Sequence, residues 1–308
     1  MEKEPLVSII VNCYNSEEYL KETIDSIFAQ TYSNYEIIFW DNQSTDSTAS
    51  IIRSYDDPRV NYCYAEKHTP LGEARNLAMK KVKGKLLTFL DSDDVWLPNF
   101  LERAVHCLSS QNVLLYYSNY YNWIVGKKEE IHNMDVHGGS RHFKDVLVSY
   151  QIGMSAAVFK NEEHLFFDPH YQLIEDYDFF LRLTRKGDAY YDDMPLMKYR
   201  MHTDSLTSAS KKNWGVEFDK LYLSLTSQIL NKEECFEYRK QLRWLRVRAV
   251  NAYAEEFIRE GKRFELFVFI LKNLHLSTKL LFPLLFLVMP CKSYFLLRAK
   301  LQKKSYHV

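Results

Sequence analysis

The sequence has no net charge, because its 40 Lys and Arg residues are balanced by 40 Asp and Glu residues. Without a basic excess the chain lacks the bulk electrostatic attraction on which nucleic-acid binding depends, so we expect no nucleic-acid partner. The balance is uneven along the chain: residues 259–308 carry a net charge of +8, and residues 1–258 therefore carry −8. The charged residues of this tail are Arg259, Lys262, Arg263, Lys272, Lys279, Lys292, Arg298, Lys300, Lys303 and Lys304, against Glu260 and Glu265.

Cysteines are few and follow no pattern. The five cysteines are scattered, odd in number and share no short spacing, which argues against a disulfide framework and against a zinc site. The N-terminus has neither a positively charged leader nor a cleavage site, so we expect no signal peptide. Together these observations predict a cytoplasmic protein with reduced thiols.

A long apolar run is also missing. The apolar stretch at residues 280–289 is ten residues long and contains Pro283, whereas a helix that spans a bilayer needs about twenty apolar residues. Because the surrounding tail is basic and apolar, we expect it to lie peripherally on the cytoplasmic face of an anionic membrane. The alternative is that its helices pack on the rest of the chain or on a second copy.

The first half of the chain alternates short apolar runs with helical segments. Strands are predicted at residues 6–11, 35–40, 60–65 and 85–90, with helices between them at 17–29, 47–55 and 70–81. Ser16 is the predicted N-cap of the first helix. This alternation predicts βαβ units, and hence an α/β fold with a mostly parallel central sheet.

The second half of the chain is less regular. Strands are predicted at residues 113–125 and 157–160, a loop at 126–142 and a helix at 175–186. From about residue 213 the apolar positions follow a helical period. We therefore expect a first region at residues 1–212 and a C-terminal helical appendage at 213–308.

The predicted fourth strand ends abruptly in acidic residues. Side chains alternate along an extended chain, so Asp91 and Asp93 can point to the same side, with Ser92 between them. Converging carboxylates repel each other unless a cation lies between them, and their hard oxygens suit Mg²⁺ or Mn²⁺. Ligands of α/β sheets bind at this end of the strands. The alternative is a solvated acidic turn that caps the following helix.

Polar side chains also follow the first two predicted strands. Tyr14 and Asn15 come after the first strand and Asp41 comes after the second, and such ends lie side by side in a parallel sheet. An aromatic ring can stack on a base, and a carboxylate can accept hydrogen bonds from base N–H groups or ribose hydroxyls. The alternative reading is that these turns are simply polar.

Three further groups can carry chemistry. Arg75 lies in the first turns of a helix, where it can steady a diphosphate or pair with the acidic loop. Glu175 and Asp176 open a helix; such carboxylates often serve only the helix dipole, but an Asp near an acceptor hydroxyl is also a suitable general base. The imidazole of His202 can bind a metal or a phosphate, although a lone histidine is more often structural.

Seven short motifs follow one another over about residues 6–208: Val-Ser-Ile-Ile-Val-x-Cys-Tyr-Asn (7–15), Asp-Asn-Gln-Ser-Thr-Asp (41–46), Gly-Glu-Ala-Arg-Asn (72–76), Phe-Leu-Asp-Ser-Asp-Asp (89–94), Phe-Phe-Asp (166–168), Glu-Asp-Tyr-Asp (175–178) and Tyr-Arg-Met-His (199–202). In this order the motifs resemble those of family 2 glycosyltransferases with a GT-A fold. Two positions depart from the family pattern: Asn12 stands where the family often has proline, and Asn42 where it often has a second aspartate.

The resemblance implies inverting transfer of a sugar from a nucleotide-diphospho-sugar, with Mn²⁺ or Mg²⁺ bridging the diphosphate. It also implies a GT-A catalytic domain at residues 1–212, with a nucleotide-binding half at about 1–112 and an acceptor-binding half at about 113–212. The predicted site consists of the catalytic residues Asp176 and Glu175, the donor-binding residues Tyr14, Asn15, Asp41, Arg75, Asp91 and Ser92, and the metal ligands Asp93, Asp91 and His202.

We therefore expect a metal-dependent hexosyl- or N-acetylhexosaminyl-transferase. It would move sugar from a UDP-sugar to a glycan or lipid-linked acceptor during assembly of a surface polysaccharide or glycoconjugate. One alternative is a sugar-phosphate nucleotidyltransferase, but the first strand lacks a glycine-rich, lysine-containing signature nearby. Another is a non-catalytic nucleotide-sugar-binding scaffold, against which the intact acidic residues argue.

Overall fold

The computed structural model describes residues 4–132, 137–162, 165–202, 213–287, 293–295 and 297. The chain forms two compact units. The sheet unit contains Met1–Val146 and Tyr150–His202, and the helical unit contains Leu147–Ser149 and Thr203–Val308. The predicted boundary at residue 212 lies outside the described residues.

The first half of the sheet unit is a parallel α/β layer. Strands β1 (Val7–Cys13) and β2 (Tyr35–Asp41) are almost wholly buried, as their mainly apolar sequences predict for strands covered on both faces. Strands β3 (Val60–Tyr64) and β4 (Leu86–Phe89) complete this half in the order β3-β2-β1-β4. All three pairings are parallel, so the carboxyl ends of these strands lie at one edge.

The second half of the sheet is mixed. Beyond β4 the strand order continues as β9-β6-β10-β5. Strand β9 pairs antiparallel with both β4 and β6, whereas β6 and β10 are parallel. The α/β fold with a central sheet is therefore confirmed, and the parallel arrangement is confined mainly to its first half. The strands of this half are β5 (Val95–Trp96), β6 (Leu115–Trp123), β7 (Glu130–Ile131), β8 (Gly139–Arg141), β9 (Ala157–Lys160) and β10 (Ala189–Arg200).

Helices connect these strands. The first begins at Leu20 rather than at residue 17, and no side chain caps it. The prediction of Ser16 as its N-cap is wrong, because the Ser16 hydroxyl instead contacts the Tyr14 N–H at 3.1 Å and the Ser92 hydroxyl at 2.8 Å. The helices of this unit are α1 (Leu20–Phe28), α2 (Thr48–Arg53), α3 (Leu71–Met79), α4 (Phe100–Ser110) and α6 (Glu175–Lys186), together with the first four residues of α5 (Phe143–Val148).

The helical unit has its own apolar core. Its helices are α7 (Trp214–Ser224), α8 (Lys232–Glu237), α9 (Arg239–Arg259) and α10 (Arg263–Asn273), followed by a 3₁₀ segment at Thr278–Leu287. Within the described ranges, no helix has the length and apolar character needed to cross a bilayer. The core contains Val247, Val250, Ala254, Ile258, Leu266, Ile270 and Leu280.

A buried polar network fixes the strand ends opposite the carboxyl edge. The Ser8 hydroxyl donates to Glu36 Oε1 at 2.6 Å and accepts from the Gly84 N–H at 2.8 Å. The same Glu36 oxygen accepts from the Lys83 N–H at 2.6 Å. This network sets β1, β2 and the turn before β4 in register, and so determines where their other ends lie.

We predict that Gly84→Ala destabilises the sheet unit. A Cβ at Gly84 would lie 2.7 Å from the Leu6 carbonyl oxygen and from the Ser8 N atom, and backbone of a buried strand cannot easily move away. The expected loss is about 1–3 kcal/mol of unfolding free energy, measured by denaturant titration. Gly153→Ala is the matched control, because its nearest neighbours lie 3.5 Å away in ordinary contact. Equal destabilisation by both substitutions would contradict the steric explanation.

Candidate active site

The loops that follow β1, β2 and β4 meet at the carboxyl edge of the sheet. Cys13 is level with Asp41 in the β1–β2 register, and Ile10 is level with Phe89 in the β1–β4 register. Backbone hydrogen bonding continues just past the strand ends, where the Asn42 N–H donates to the Cys13 carbonyl at 2.8 Å. The sequence-predicted residues of these three loops are therefore brought to one edge.

The loop after β1 presents an aromatic ring at this edge. The Tyr14 side chain is 54% exposed, and its ring centroid lies 4.5 Å from that of His68. Asn15 has a left-handed φ of 49°, and its N–H donates to the Ser44 hydroxyl at 3.0 Å. Asn15 Oδ1 accepts from the Thr45 N–H at 2.8 Å. Asn15 thus joins the first loop to the second, while the Tyr14 ring is open to a ligand.

Asp41 is completely buried at the end of β2. One carboxylate oxygen accepts from the Ser44 N–H at 2.7 Å, and the other accepts from the Tyr62 hydroxyl at 2.6 Å. Burial, followed by this hydrogen bond, raises the pKa of Tyr62. The carboxylate therefore shapes the loop that carries it, and a nucleoside contact would use the remaining lone pairs of its oxygens.

Asn42 uses both ends of its side-chain amide within the protein. Its Nδ2 donates to the Thr69 carbonyl at 2.7 Å, and its Oδ1 accepts from the Thr69 N–H at 3.1 Å. An aspartate cannot donate to a carbonyl, so this pairing explains why an amide fits the position. The departure from the family pattern at Asn42 is thus a structural adaptation of the loop.

The acidic loop after β4 is held by helix α1. The Thr23 hydroxyl lies 3.0 Å from the Ser92 carbonyl oxygen and 2.8 Å from the Asp94 carbonyl oxygen. Asp94 is buried, and burial together with the Asp93 and Asp91 charges raises its pKa well above the ordinary value. Its Oδ1 accepts from the Arg200 N–H at 3.0 Å. Asp94 is therefore a structural residue of the loop.

Arg200 brings the end of β10 against the acidic loop. Its guanidinium lies between two aromatic rings, 4.3 Å from the Tyr19 centroid and 4.0 Å from the Trp123 centroid. Its Nε donates to the Asp93 carbonyl at 2.7 Å. These contacts place His202, two residues further on, so that its Nε2 lies 2.8 Å from Asp93 Oδ2.

Arg75 joins the acidic loop to helix α6. Its Nη2 donates to Asp91 Oδ1 at 3.3 Å, and its Nη1 donates to Glu175 Oε1 at 3.1 Å. Arg75 and Glu175 are both buried. Burial alone would lower the pKa of Arg75, but the charges of Asp91, Glu175 and Asp176 outweigh it and raise that pKa. The sequence allows Arg75 either to steady a diphosphate or to pair with the acidic loop, and in the structure it pairs with the acidic loop.

Asp176 follows Glu175 at the start of α6. The carboxylate is half-buried, and its Oδ1 accepts from the Tyr177 N–H at 2.7 Å. Burial raises the pKa of Asp176 above its ordinary value, while the Tyr150 hydroxyl and the Arg75 charge oppose this shift. The Tyr150 ring stacks on Tyr177 with centroids 4.5 Å apart. Because its pKa is raised, the carboxylate at this edge is a stronger base than an ordinary aspartate.

The predicted metal ligands are divided between two contacts. Asp93 and His202 face each other and are partly exposed, whereas Asp91 pairs with Arg75. Among the described residues, no group of three or more His, Cys, Asp or Glu side chains has the arrangement of a metal site. Mg²⁺ usually takes only one or two carboxylates and completes its shell with water and substrate phosphates. The pair of Asp93 and His202 fits such a partial site.

Several residues that support the site carried no sequence signal. Ser155 accepts from the Asp91 N–H at 3.1 Å, and its carbonyl accepts from the Trp96 indole at 2.6 Å. Tyr150 lies beside Asp176. Both come from a segment without apolar periodicity or a recognisable motif. Arg200 belongs to the Tyr-Arg-Met-His motif, but only the structure identifies its contacts.

Comparisons with known proteins identify the family of the chain. Residues 8–174 match the family model for glycosyl transferase family 2, which is more than half of the chain. A curated relative, UDP-Glc:alpha-D-GlcNAc-diphosphoundecaprenol beta-1,3-glucosyltransferase WfaP of Escherichia coli, is 31% identical over 260 residues. That alignment covers 76% of this chain and 97% of the relative.

Solved structures share the fold at low sequence identity. S. aureus TarS 1-349 in complex with UDP-GlcNAc has a TM-score of 0.66 and 16% identity, over 82% of this chain and 80% of that one. The mannosyltransferase PcManGT from Pyrobaculum calidifontis, in complex with GDP-Man and Mn²⁺, has a TM-score of 0.54 and 18% identity, over 82% of this chain and 74% of that one. The chain belongs to the family 2 glycosyltransferases and has the GT-A fold.

Proposed function

We propose that this glycosyltransferase moves a sugar from a UDP-sugar to a lipid-linked acceptor, with inversion, during assembly of a surface polysaccharide or glycoconjugate. The name of WfaP specifies a UDP-Glc donor and a diphosphoundecaprenol-linked acceptor. The TarS structure contains UDP-GlcNAc. GDP-Man in PcManGT is the competing donor class.

The observation that carries the proposal is the position of Arg75 between the acidic loop and helix α6. One guanidinium contacts both Asp91 and Glu175, so Asp176 is held close to the loop that is proposed to bind the donor diphosphate. Inversion by a single displacement requires this proximity, because the acceptor hydroxyl that the base deprotonates attacks the same anomeric carbon that the diphosphate leaves.

In the proposed reaction the acceptor oxygen forms a bond to the anomeric carbon as the bond from that carbon to the diphosphate oxygen breaks. Asp176 takes the proton of the acceptor hydroxyl, and the electron pair of the broken bond leaves with the diphosphate. Tyr14 and Asp41 bind the nucleoside, with Asn15 and Ser92 shaping the pocket. Asp93 and His202 would hold Mn²⁺ or Mg²⁺, which supplies electrostatic stabilisation of the leaving diphosphate.

We assign Glu175 a positioning role in this reaction. Its carboxylate is buried and bonded to Arg75, so it orients the start of α6 rather than contacting substrate. Residues 1–112 would supply the donor side and residues 113–212 the acceptor side. The cytoplasmic face of a membrane is the proposed place of action, since Cys13, Cys63, Cys107 and Cys235 are free thiols.

We predict that Asp176→Asn abolishes transfer without abolishing donor binding. The amide keeps the shape of the carboxylate but cannot accept the proton, so kcat should fall by about 10²–10⁴-fold. Because the pKa of Asp176 is raised, kcat/KM of the wild type should decline as pH falls through that raised pKa, where the base becomes protonated. The measurements are radiolabelled sugar transfer across pH and UDP-sugar binding by calorimetry.

Asp188→Asn is the control for this substitution, since the Asp188 side chain is 45% exposed and pairs only with His142 among the contacts of described side chains. It should retain wild-type kcat. Turnover close to wild type in Asp176→Asn would remove Asp176 as the base and make Asp178 the next candidate. Wild-type protein that binds donor without transferring sugar would support the scaffold alternative.

We predict that Asp93→Ala and His202→Ala weaken metal-dependent donor binding. Each removes one of the two facing groups, and turnover should fall by at least about 10²-fold because the leaving diphosphate loses stabilisation. The readout is the rise in unfolding temperature on adding UDP with Mn²⁺, with and without chelator. Asp25→Ala is the control at an exposed ion pair. Full activity of the wild type in chelator would contradict the metal role.

We predict that Arg75 and Glu175 are strongly coupled. Arg75→Met leaves the buried Glu175 charge without its partner and should cost about 3–5 kcal/mol of unfolding free energy. The double variant Arg75→Met/Glu175→Gln removes that charge, so its loss should be smaller than the sum of the two single losses. Denaturant unfolding of all four proteins measures the coupling, and simple additivity would show that the ion pair does not hold α6 in place.

A further inference from the structure

Helix α10 has apolar residues on two faces. Leu266 and Ile270 are fully buried in the core of the helical unit. Phe264, Phe267 and Leu271 are 75%, 40% and 50% exposed, and their spacing of three and four residues places them on one other face. Leaving two phenylalanines and a leucine in water forgoes the free energy of burying them, so an exposed stripe of this kind marks an interaction surface.

Basic side chains flank this α10 stripe. A helix turns about 100° per residue, so Arg263, before Phe264, and Lys272, after Leu271, lie on opposite sides of it. Glu265 is the one acidic residue of α10. After Glu265 the sequence contains seven Lys and Arg residues and no Asp or Glu. In sequence, the stripe therefore belongs to the basic C-terminal part of an otherwise acidic chain.

The segment after α10 has the same character. In Thr278–Leu287, Leu280 is buried in the core with Leu266 and Ile270, whereas Leu281 and Leu285 are 47% and 38% exposed. The Lys279 ammonium lies 4.9 Å from the Trp244 ring centroid, and Trp244 is itself partly exposed. Tryptophan and lysine side chains of this kind combine an apolar body with a polar tip, which suits a boundary between lipid and water.

We propose that the α10 stripe is a docking surface for an anionic lipid bilayer. The apolar side chains would enter the boundary between headgroups and acyl chains, and Arg263 and Lys272 would lie at the level of the lipid phosphates. A protein partner fits less well, because a standard protein interface takes about 20–30 residues from each side. A narrow apolar stripe flanked by cations is sufficient for an interfacial helix.

Docking at this surface would keep the enzyme in the plane to which a lipid-linked acceptor is confined. The inference rests on the proposed function only for that acceptor. Membrane binding itself follows from the apolar and basic residues of the helical unit, so it can be tested separately from catalysis.

The test is co-sedimentation of the full chain with vesicles of phosphatidylcholine alone or mixed with phosphatidylglycerol. We expect the wild type to bind the anionic vesicles and to dissociate at high salt. Phe264→Glu/Phe267→Glu should reduce partitioning by at least about tenfold, because apolar insertion is replaced by charge repulsion. Lys272→Glu should reduce it by about tenfold at low salt, since each basic residue near the surface contributes about 1 kcal/mol and the new charge is repelled.

Phe236→Glu is the matched control, because Phe236 is 69% exposed on α8 of the same unit, where its ring contacts Arg239. It should bind like the wild type. Circular dichroism and thermal unfolding verify that every variant is folded. Undiminished binding of the folded double variant, or no binding of the wild type, would overturn the proposal. The proposal would also be overturned if the double variant had a lower mass than the wild type by light scattering but bound vesicles equally well. That result would identify a second copy of the chain as the occupant of the stripe.

Transfer to a soluble acceptor separates this proposal from the proposed function. The double variant should retain wild-type kcat in that assay, because the stripe takes no part in the chemistry. A wild type that binds vesicles but transfers no sugar would overturn the proposed function and leave the docking surface in place.

Discussion

The site depends on one buried cation. Arg75 contacts Asp91, 16 residues away in sequence, and Glu175, 100 residues away, so a single side chain connects the two halves of the sheet unit. Taking a guanidinium out of water is costly unless its charge is paired with carboxylates. Neither carboxylate is therefore dispensable to the arginine, and their spacing is set by its width. The distance between the acidic loop and the start of α6 follows from this geometry.

Short side chains hold the loops around that cation. Ser16 and Ser92 touch through their hydroxyls, Thr23 contacts two carbonyls of the acidic loop, and Arg200 contacts a third. The serine and threonine side chains have few rotatable bonds between the backbone and the polar atom. Arg200 has more, but the two aromatic rings beside its guanidinium restrict its conformations. Ordering such groups costs little conformational entropy. The strand-end loops consequently behave as one polar layer on the sheet.

Much of the fold could be predicted from local patterns. The predicted strand at 157–160 and helix at 175–186 have the observed bounds, because a compact apolar run and an amphipathic period with a terminal glycine are local signals. The loop predicted at 126–142 contains the short strands β7 and β8, which are too short to show a periodic pattern, and β8 pairs with β10 much further along the chain. The prediction of Ser16 as an N-cap is wrong because the sequence alone does not show whether a hydroxyl before a helix caps that helix or contacts another loop.

The sequence predicts which residues form the candidate site, but it does not predict which of them contact one another. Carboxylates after strands indicate the edge at which a ligand would bind. The sequence alone does not decide whether Arg75 pairs with a diphosphate or with the acidic loop, and no sequence motif indicates the positions of Ser155 and Tyr150.

The amide side chain of Asn42 also affects the charge of the site. Because the amide is neutral, the loop that holds Asp41 carries one fewer negative charge than an ionised aspartate would give it. A diphosphate that binds at this edge, as proposed, would therefore meet less repulsion, and its capture would depend less on ionic strength.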